Sequence, residues 1–188
     1  HLVLFTLQKE VTSSPYAVKY SIDNWMNDSN KVLTPSEKRE LKNIRNIINR
    51  INTTTKQQRL LDVLETIYEQ VGSAQAVVFT QFRSTQQAIA ETVRELDVPT
   101  HVVNGDISSQ GKERMINKFE EEGGVLVATD SISEGRNMQF CNVLVNYDLP
   151  WNPMKVEQRI GRIDRIGQNR EVHVFNMALE DTIEEHVL

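Results

Sequence analysis

The chain has 188 residues, 39% of them hydrophobic and 25% charged, with 8 Gly, 5 Pro, one Cys and a formal net charge of −5. These proportions describe a folded globular protein with room for one core and an appendage, and they exclude collagen-like, low-complexity and disordered classes. The lone Cys141 rules out an internal disulfide and a cysteine-rich metal site, so the expected setting is a reducing cytoplasm.

The N-terminal His1-Leu2-Val3-Leu4-Phe5 has no initiator Met, basic region or cleavage site, so the reading is a chain that starts mid-protein. Residues 1–70 are polar and helical in pattern. Thr34-Pro35-Ser36-Glu37 opens a helix with a capping residue and a first-turn proline. Leu41, Ile44, Ile47, Ile48 and Ile51 then recur at helical spacing between basic residues. After Asn52-Thr53-Thr54-Thr55 a second helix carries Leu60, Leu61, Leu64, Ile67 and Tyr68 on one face.

From residue 71 the pattern changes to short apolar runs alternating with helices. The predicted strands are Ala76–Thr80, Thr100–Val103, Val125–Ala128, Val143–Tyr147 and Val172–Asn176. Between the first three lie helices Thr85–Leu96 and one around Met115, Ile116 and Phe119, the latter ended by Gly123-Gly124. Uniformly apolar strands separated by helices imply a parallel sheet covered on both faces. No apolar run reaches the length of a membrane span, and no membrane partner is expected.

The acidic total hides a basic block. Residues 155–170 hold Lys155, Arg159, Arg162, Arg165 and Arg170 against Glu157 and Asp164, a net of +3, whereas residues 171–188 contain five acids and no Lys or Arg. Asn152 is a capping residue and Pro153 suits the first turn, which predicts a helix over 153–166. On a helical wheel Val156, Ile160 and Ile163 share one face, suited to packing on the sheet, and Gln158, Arg162 and Arg165 share the opposite one. Two arginine forks one turn apart, beside Gly161, suit phosphate oxygens. For an isolated helix the same face reads as a solvated surface with an Asp164 ion pair.

The run Gln158-Arg159-Ile160-Gly161-Arg162-Ile163-Asp164-Arg165-Ile166-Gly167-Gln168 closely resembles motif VI of superfamily-two helicases, with the Arg-Ile-Gly-Gln ending of Swi/Snf-related ATPases. Thr129-Asp130-Ser131-Ile132-Ser133-Glu134-Gly135-Arg136-Asn137-Met138-Gln139 resembles motif V, with Arg136 where an apolar residue is usual. Val77-Val78-Phe79-Thr80-Gln81-Phe82 resembles motif IV, and the order of the motifs over residues 60–178 is that of the family. Asp148-Leu149-Pro150-Trp151-Asn152-Pro153 and the early Leu7-Gln8-Lys9-Glu10 with Thr12-Ser13-Ser14 are similar to bacterial members.

The resemblance implies a RecA-like three-layer α/β sandwich over residues 71–188 with a mostly parallel sheet, preceded by a helical linker or protrusion over residues 1–70. It implies the second lobe of an ATP-driven motor on double-stranded DNA, acting with a missing N-terminal RecA-like lobe, in the cytoplasm or, in a bacterium, on the nucleoid. By motif position Arg162 and Arg165 become arginine fingers, Gln158, Gly135 and Asn137 nucleotide contacts, and Gln81, Gly105 and Thr129 contacts to the nucleic-acid backbone. Taken alone, Thr80-Gln81 is equally a strand end and Asn104-Gly105 a tight turn.

ATP and Mg2+ are expected in the complete two-lobed protein, with neither bound tightly by this chain. Gly105–Lys112 has five residues between its glycines rather than four, followed by Glu113 where a Ser or Thr is needed, and no Asp-Glu dipeptide occurs. A phosphate-cradling loop and a metal-binding acidic motif are therefore absent from the sequence, and the chain alone is expected to be inactive. No residue set here is expected to ligate metal: His101, His173 and His186 lack ligand spacing, and Cys141 reads as an inert buried thiol. An RNA-helicase lobe and a non-catalytic protein- or nucleic-acid-interaction module remain as alternatives, and any protein target is open.

Overall fold

The computed structural model describes residues 2–71, 75–132, 137–180, 182 and 184. Four helices come first: α1 (Leu2–Ser13), α2 (Pro15–Asn27), α3 (Pro35–Ile48) and α4 (Thr55–Val71). Strands and helices then alternate as β1 (Ala76–Thr80), α5 (Arg83–Val93), β2 (Thr100–Val103), α6 (Ser109–Glu122), β3 (Val125–Thr129), β4 (Val143–Asn146), α7 (Pro153–Ile160) and β5 (His173–Asn176). A short 3-10 turn at Arg94–Leu96 follows α5.

The sheet runs β2-β3-β1-β4-β5, and every neighbouring pair is parallel. The apolar runs predict this arrangement because β1, β3 and β4 are buried along their whole length. Alternation then sorts their side chains into two cores. Val78, Val127 and Val145 meet Leu60 and Leu64 of α4 with Ile89 and Val93 of α5, while Val77, Leu126 and Leu144 meet Ile116 and Phe119 of α6. The result is the three-layer α/β sandwich expected of a RecA-like lobe. Each fully buried Val or Leu contributes roughly 1.5–3 kcal/mol from removed apolar area, which makes the three central strands the most strongly held part of the lobe.

Helix α4 lies on the helical side of the division drawn from the sequence, yet its Leu60, Leu64 and Ile67 belong to the sheet's core. The caps follow the sequence signals. Thr34 and Glu37 form a reciprocal capping box at the start of α3, and Ser14 accepts from Ala17 N at the start of α2. The apolar stripe of α3 is less buried than its spacing suggests: Ile48 is enclosed, whereas Ile44 and Ile47 are exposed. Gly123 and Gly124 end α6 with φ of 72° and 83°. A Cβ on Gly124 would collide with the carbonyl of Pro99, so this strand start requires glycine. Among the described residues no helix is long and apolar enough to cross a membrane.

Candidate functional site

Polar side chains replace the apolar run where β1, β3 and β4 end, at Thr80-Gln81, Thr129-Asp130 and Asn146 to Asp148. Parallel register brings these ends together, with Thr80 paired to Thr129 across β1 and β3 and Phe79 to Asn146 across β1 and β4. Carboxyl ends of parallel strands are where open α/β sheets receive ligands. Helix α7 starts beside them as predicted, Asn152 Oδ1 accepting from Met154 N at 3.0 Å with Pro153 at the first turn. It ends at Ile160, however, not at 166. Gly161, whose helix propensity is low, becomes its cap, and the chain tightens through Arg162 N–Arg159 O and Ile163 N–Ile160 O bonds. Arg162 and Arg165 therefore follow the helix instead of extending one face of it.

An open cleft of about 210 Å³ sits at this edge, lined by Phe79, Asp130, Ile132, Lys155, Gln158, Arg159 and Arg162. Its floor is Arg159, only 3% exposed. Arg159 Nε and Nη2 donate to Asp130 Oδ1 at 2.8 and 2.6 Å, and Nη1 donates to Asn146 Oδ1 and the Asp148 carbonyl, both at 2.9 Å. The guanidinium also lies 5.1 Å from the Phe79 ring centroid. The helical wheel places Val156, Ile160 and Ile163 on the sheet side. Ile163 is fully buried, but Val156 and Ile160 are only half-buried, and the α7 residue driven into the sheet edge is Arg159. Sequence reasoning missed it as a site residue. The available signal was the set of acceptors Asp130, Asn146 and Asp148 at the ends of otherwise apolar strands, which demands a buried donor.

The rim carries Lys155, Gln158 and Arg162. Lys155 Nζ stands 3.5 Å from Asp130 Oδ2. Of the residues expected to meet nucleotide, Gln158 and Arg162 line the cleft, whereas Arg165 and Asn137 do not. Arg165 is exposed and its Nε donates to the Gly161 carbonyl at 2.9 Å. Asn137 Nδ2 donates to Gln139 Oε1 at 2.5 Å, and Gln139 Nε2 in turn donates to the carbonyls of Arg165 and Ile166. Asn137 and Arg165 are thus neighbours through Gln139, and Met138 N–Arg162 O at 3.0 Å ties the two loops again. Gly135 lies outside the described residues.

The three residues expected to touch a nucleic-acid backbone gather on the same edge. Thr129 Oγ1 is 2.7 Å from Ser131 Oγ, and Gly105 borders Ser131 and Arg83, which an added Cβ would meet in ordinary contact at 3.5 and 3.4 Å. Arg83 pairs with Asp106, the neighbour of Gly105. Gln81 is held from two sides: its N–H donates to Asp148 Oδ2 at 3.0 Å and its Nε2 to the Leu149 carbonyl at 3.1 Å.

Asp148 belongs to a second buried cluster. Its Oδ2 also accepts from Thr80 Oγ1 and, at 3.0 Å, from Ser13 Oγ at the end of α1. Lys56 Nζ of α4 lies 3.6 Å from Asp148 Oδ1 and 3.0 Å from Glu184 Oε2, and it donates to the Thr12 carbonyl at 3.0 Å. One ammonium thus serves two buried carboxylates. Burial pushes the Glu184 carboxyl above the ordinary value of 4.5, Lys56 opposes that rise and the Asp148 charge adds to it.

The remaining candidates are structural. His101 Nε2 lies 3.1 Å from the Gly123 carbonyl, inside the sheet edge. The Cys141 thiol is fully buried, 2.9 Å from the Gln75 carbonyl, and burial pushes it up to about 12, far from thiolate reactivity. Among the described residues the cleft offers magnesium one carboxylate, Asp130, and Arg159 and Lys155 already engage it.

Comparison with known proteins agrees with this architecture. Residues 55–167 match the family described as Helicase conserved C-terminal domain. The uncharacterized ATP-dependent helicase YqhH of Bacillus subtilis (strain 168) is 35% identical over 185 residues, which are 98% of this chain and 32% of YqhH. RNA polymerase-associated protein RapA of Vibrio parahaemolyticus is 39% identical over 124 residues, 64% of this chain and 13% of RapA. The chain therefore spans about a third of the first of these relatives and far less of the second. The solved Sulfolobus solfataricus SWI2/SNF2 ATPase core in complex with dsDNA shares the fold, with a TM-score of 0.62 and 22% identity over 92% of this chain and 40% of that one. The chain belongs to the helicase conserved C-terminal domain family and is a C-terminal lobe of the superfamily-two kind that its motifs resemble.

Proposed function

We propose that this lobe is the second half of an ATP-dependent translocase on double-stranded DNA. The observation that carries the reading is the cleft itself, in which Gln158 and Arg162 rim a floor fixed by Arg159 at the carboxyl edge of the sheet. In the proposed cycle the triphosphate of ATP lies between this cleft and a preceding lobe. Arg162 stabilises the charge developing on the transferring phosphoryl group, and such a finger is worth roughly 10³–10⁵ in turnover. Arg165 is the second finger: the bond from Nε to the Gly161 carbonyl holds the base of its fork, and Nη1 and Nη2 are the donors that remain. Gln158 and Asn137 meet the nucleotide from the helix and the neighbouring loop, and Gly135 is a further contact by motif position alone.

Magnesium and the phosphate-cradling loop belong, in this reading, to the other lobe, because Asp130 is already neutralised. ATP bridges the lobes, hydrolysis releases them, and each cycle shifts the grip on DNA. Gln81, Gly105 and Thr129 form this lobe's part of the grip, positioning the backbone without reading bases. The name of YqhH as an ATP-dependent helicase supports a motor role over a purely structural one, and the dsDNA of the Sulfolobus complex is consistent with a DNA track.

The test compares ATPase stimulation by duplex DNA with strand displacement, using the complete protein. The expected result is stimulation by duplex DNA with no strand displacement. RNA-specific stimulation with unwinding overturns the DNA assignment. The isolated 188-residue chain should show no magnesium-dependent ATP turnover, and appreciable turnover in a clean preparation would remove the need for a second lobe.

A further inference from the structure

Helix α3 sets four basic residues against Glu37 and Glu40, a net of +2 within a chain of net charge −5. Lys38, Lys42 and Arg45 recur at i, i+4 and i+7 and so share one face. Lys38, Arg39 and Lys42 are exposed, and among the described residues none of the three forms an ion pair. The positions three and four residues from Lys42 hold Lys38, Arg39, Arg45 and Asn46, with no carboxylate among them. Other surface helices neutralise their cations at these spacings, as Lys118 does with Glu122 and Arg59 with Asp62. A charged helix face is ordinarily a solvated one, but like charges three and four residues apart repel and weaken the helix that carries them. An external anion relieves that repulsion.

The position of the face says which anion. Arg45 Nε stands 2.8 Å from Asp23 Oδ1 of α2. Asp23, with Lys19 and Tyr20, lines one groove with Ser84 and Gln87 of α5, and Ser84 lies three residues beyond Gln81. The cationic row therefore begins beside the edge assigned above to the nucleic-acid backbone, on an element outside the sheet. We propose that Lys38, Lys42 and Arg45 form a second contact to the phosphates of the duplex held by Gln81, Gly105 and Thr129. The proposal rests on the DNA reading of this lobe and extends its track onto the helical segment. At a rise of about 1.5 Å per residue the row covers about 10 Å of helix axis, the length of about three phosphates of one strand at about 3.4 Å each. Such contacts add affinity and position the duplex without reading its bases. An acidic protein segment also meets the charge requirement, but nothing places it at this edge, whereas the duplex is already there in the proposed cycle.

The test measures affinity of the complete protein for a fluorescently labelled duplex across a potassium chloride series. Lys38→Gln with Lys42→Gln should weaken binding about tenfold or more at about 50 mM salt and lower the slope of log affinity against log salt by about 2. Arg94→Gln with Lys118→Gln removes the same charge from exposed positions that precede β2 and β3, at the amino edge of the sheet, and should change neither quantity. All four substitutions are at the surface, and urea midpoints equal to that of the unmodified protein confirm that the fold is kept. Equal losses from both pairs would reduce the effect to net charge and overturn the proposal. Unchanged affinity and slope in the α3 pair, with the unmodified protein binding duplex, would overturn it and leave the DNA reading standing. Loss of poly-glutamate binding in the α3 pair, with duplex binding intact, would give the row to an acidic protein segment instead. Failure of the unmodified protein to bind duplex at all would remove the DNA reading and this contact together.

Discussion

Two buried cations meet at Asp148, Arg159 at its carbonyl and Lys56 at its carboxylate, and their surroundings differ. Arg159 spends Nε, Nη1 and Nη2 on Asp130, Asn146 and the Asp148 carbonyl, a matched set of donors and acceptors. Lys56 faces the carboxylates of both Asp148 and Glu184, and Asp148 Oδ1 is left without a hydrogen bond. The first cluster matches donors to acceptors and fixes the floor of the cleft proposed for nucleotide. The second carries one negative charge in excess, and it joins segments far apart in the chain: α1, α4, the end of β4 and the Glu184 region. Burial of ions costs several kcal/mol unless partners are complete. The comparison therefore teaches that one cluster holds a site and the other holds the helical segment to the lobe at some electrostatic cost.

The largest expected effect tests the matched cluster. Arg159→Ala strips the buried Asn146 Oδ1 and the Asp148 carbonyl of their donor and leaves Asp130 with Lys155 alone, and it should lower unfolding stability by about 1–3 kcal/mol, read from urea titration of the chain. A loss under about 1 kcal/mol would mean that the floor is solvated and replaceable. A smaller effect of opposite character is expected in the unbalanced cluster. Glu184→Gln keeps a hydrogen-bonding group yet removes the excess charge, so near neutral pH it should be close to neutral or stabilising, by less than about 1 kcal/mol.

The pH dependence gives that comparison its sign. The Glu184 carboxyl titrates above 4.5 in the folded chain, as does Glu10, so the folded state binds more protons than the unfolded state in this range. Their contribution is fully present below 4.5 and is lost as pH rises through the folded values. Glu184→Gln should therefore flatten the decline of urea midpoint between pH 4.5 and neutrality. An unchanged slope would move the titrating group elsewhere. At the rim, Arg162→Ala should destabilise the half-buried position less than Arg159→Ala does the buried one, read from the same urea titration.

Much of this lobe is legible in its sequence, for a physical reason. Strands buried on both faces must be apolar throughout, so Ala76–Thr80, Val125–Thr129 and Val143–Asn146 announce themselves. The placing of Gln158 and Arg162 at one cleft was legible in the same way, from their spacing along one short segment. The floor escaped because a helical wheel assigns Arg159 to neither the apolar nor the phosphate-facing side, and its acceptors come from strands that only the register unites. The end of α7 at Ile160 escaped because extrapolated periodicity overlooks the capping role of Gly161. The Lys56 cluster spans 92 residues to Asp148 and 128 to Glu184, and no local pattern encodes such a meeting.

Neither buried cluster performs chemistry in the proposed cycle; that task falls to the rim. The most direct test measures single-turnover ATP hydrolysis at saturating nucleotide in the complete protein carrying Arg162→Ala, alongside duplex-DNA affinity. The account predicts a fall of about 10³-fold or more in the hydrolysis rate, with DNA affinity nearly unchanged. A hydrolysis rate equal to that of the unmodified protein would contradict it.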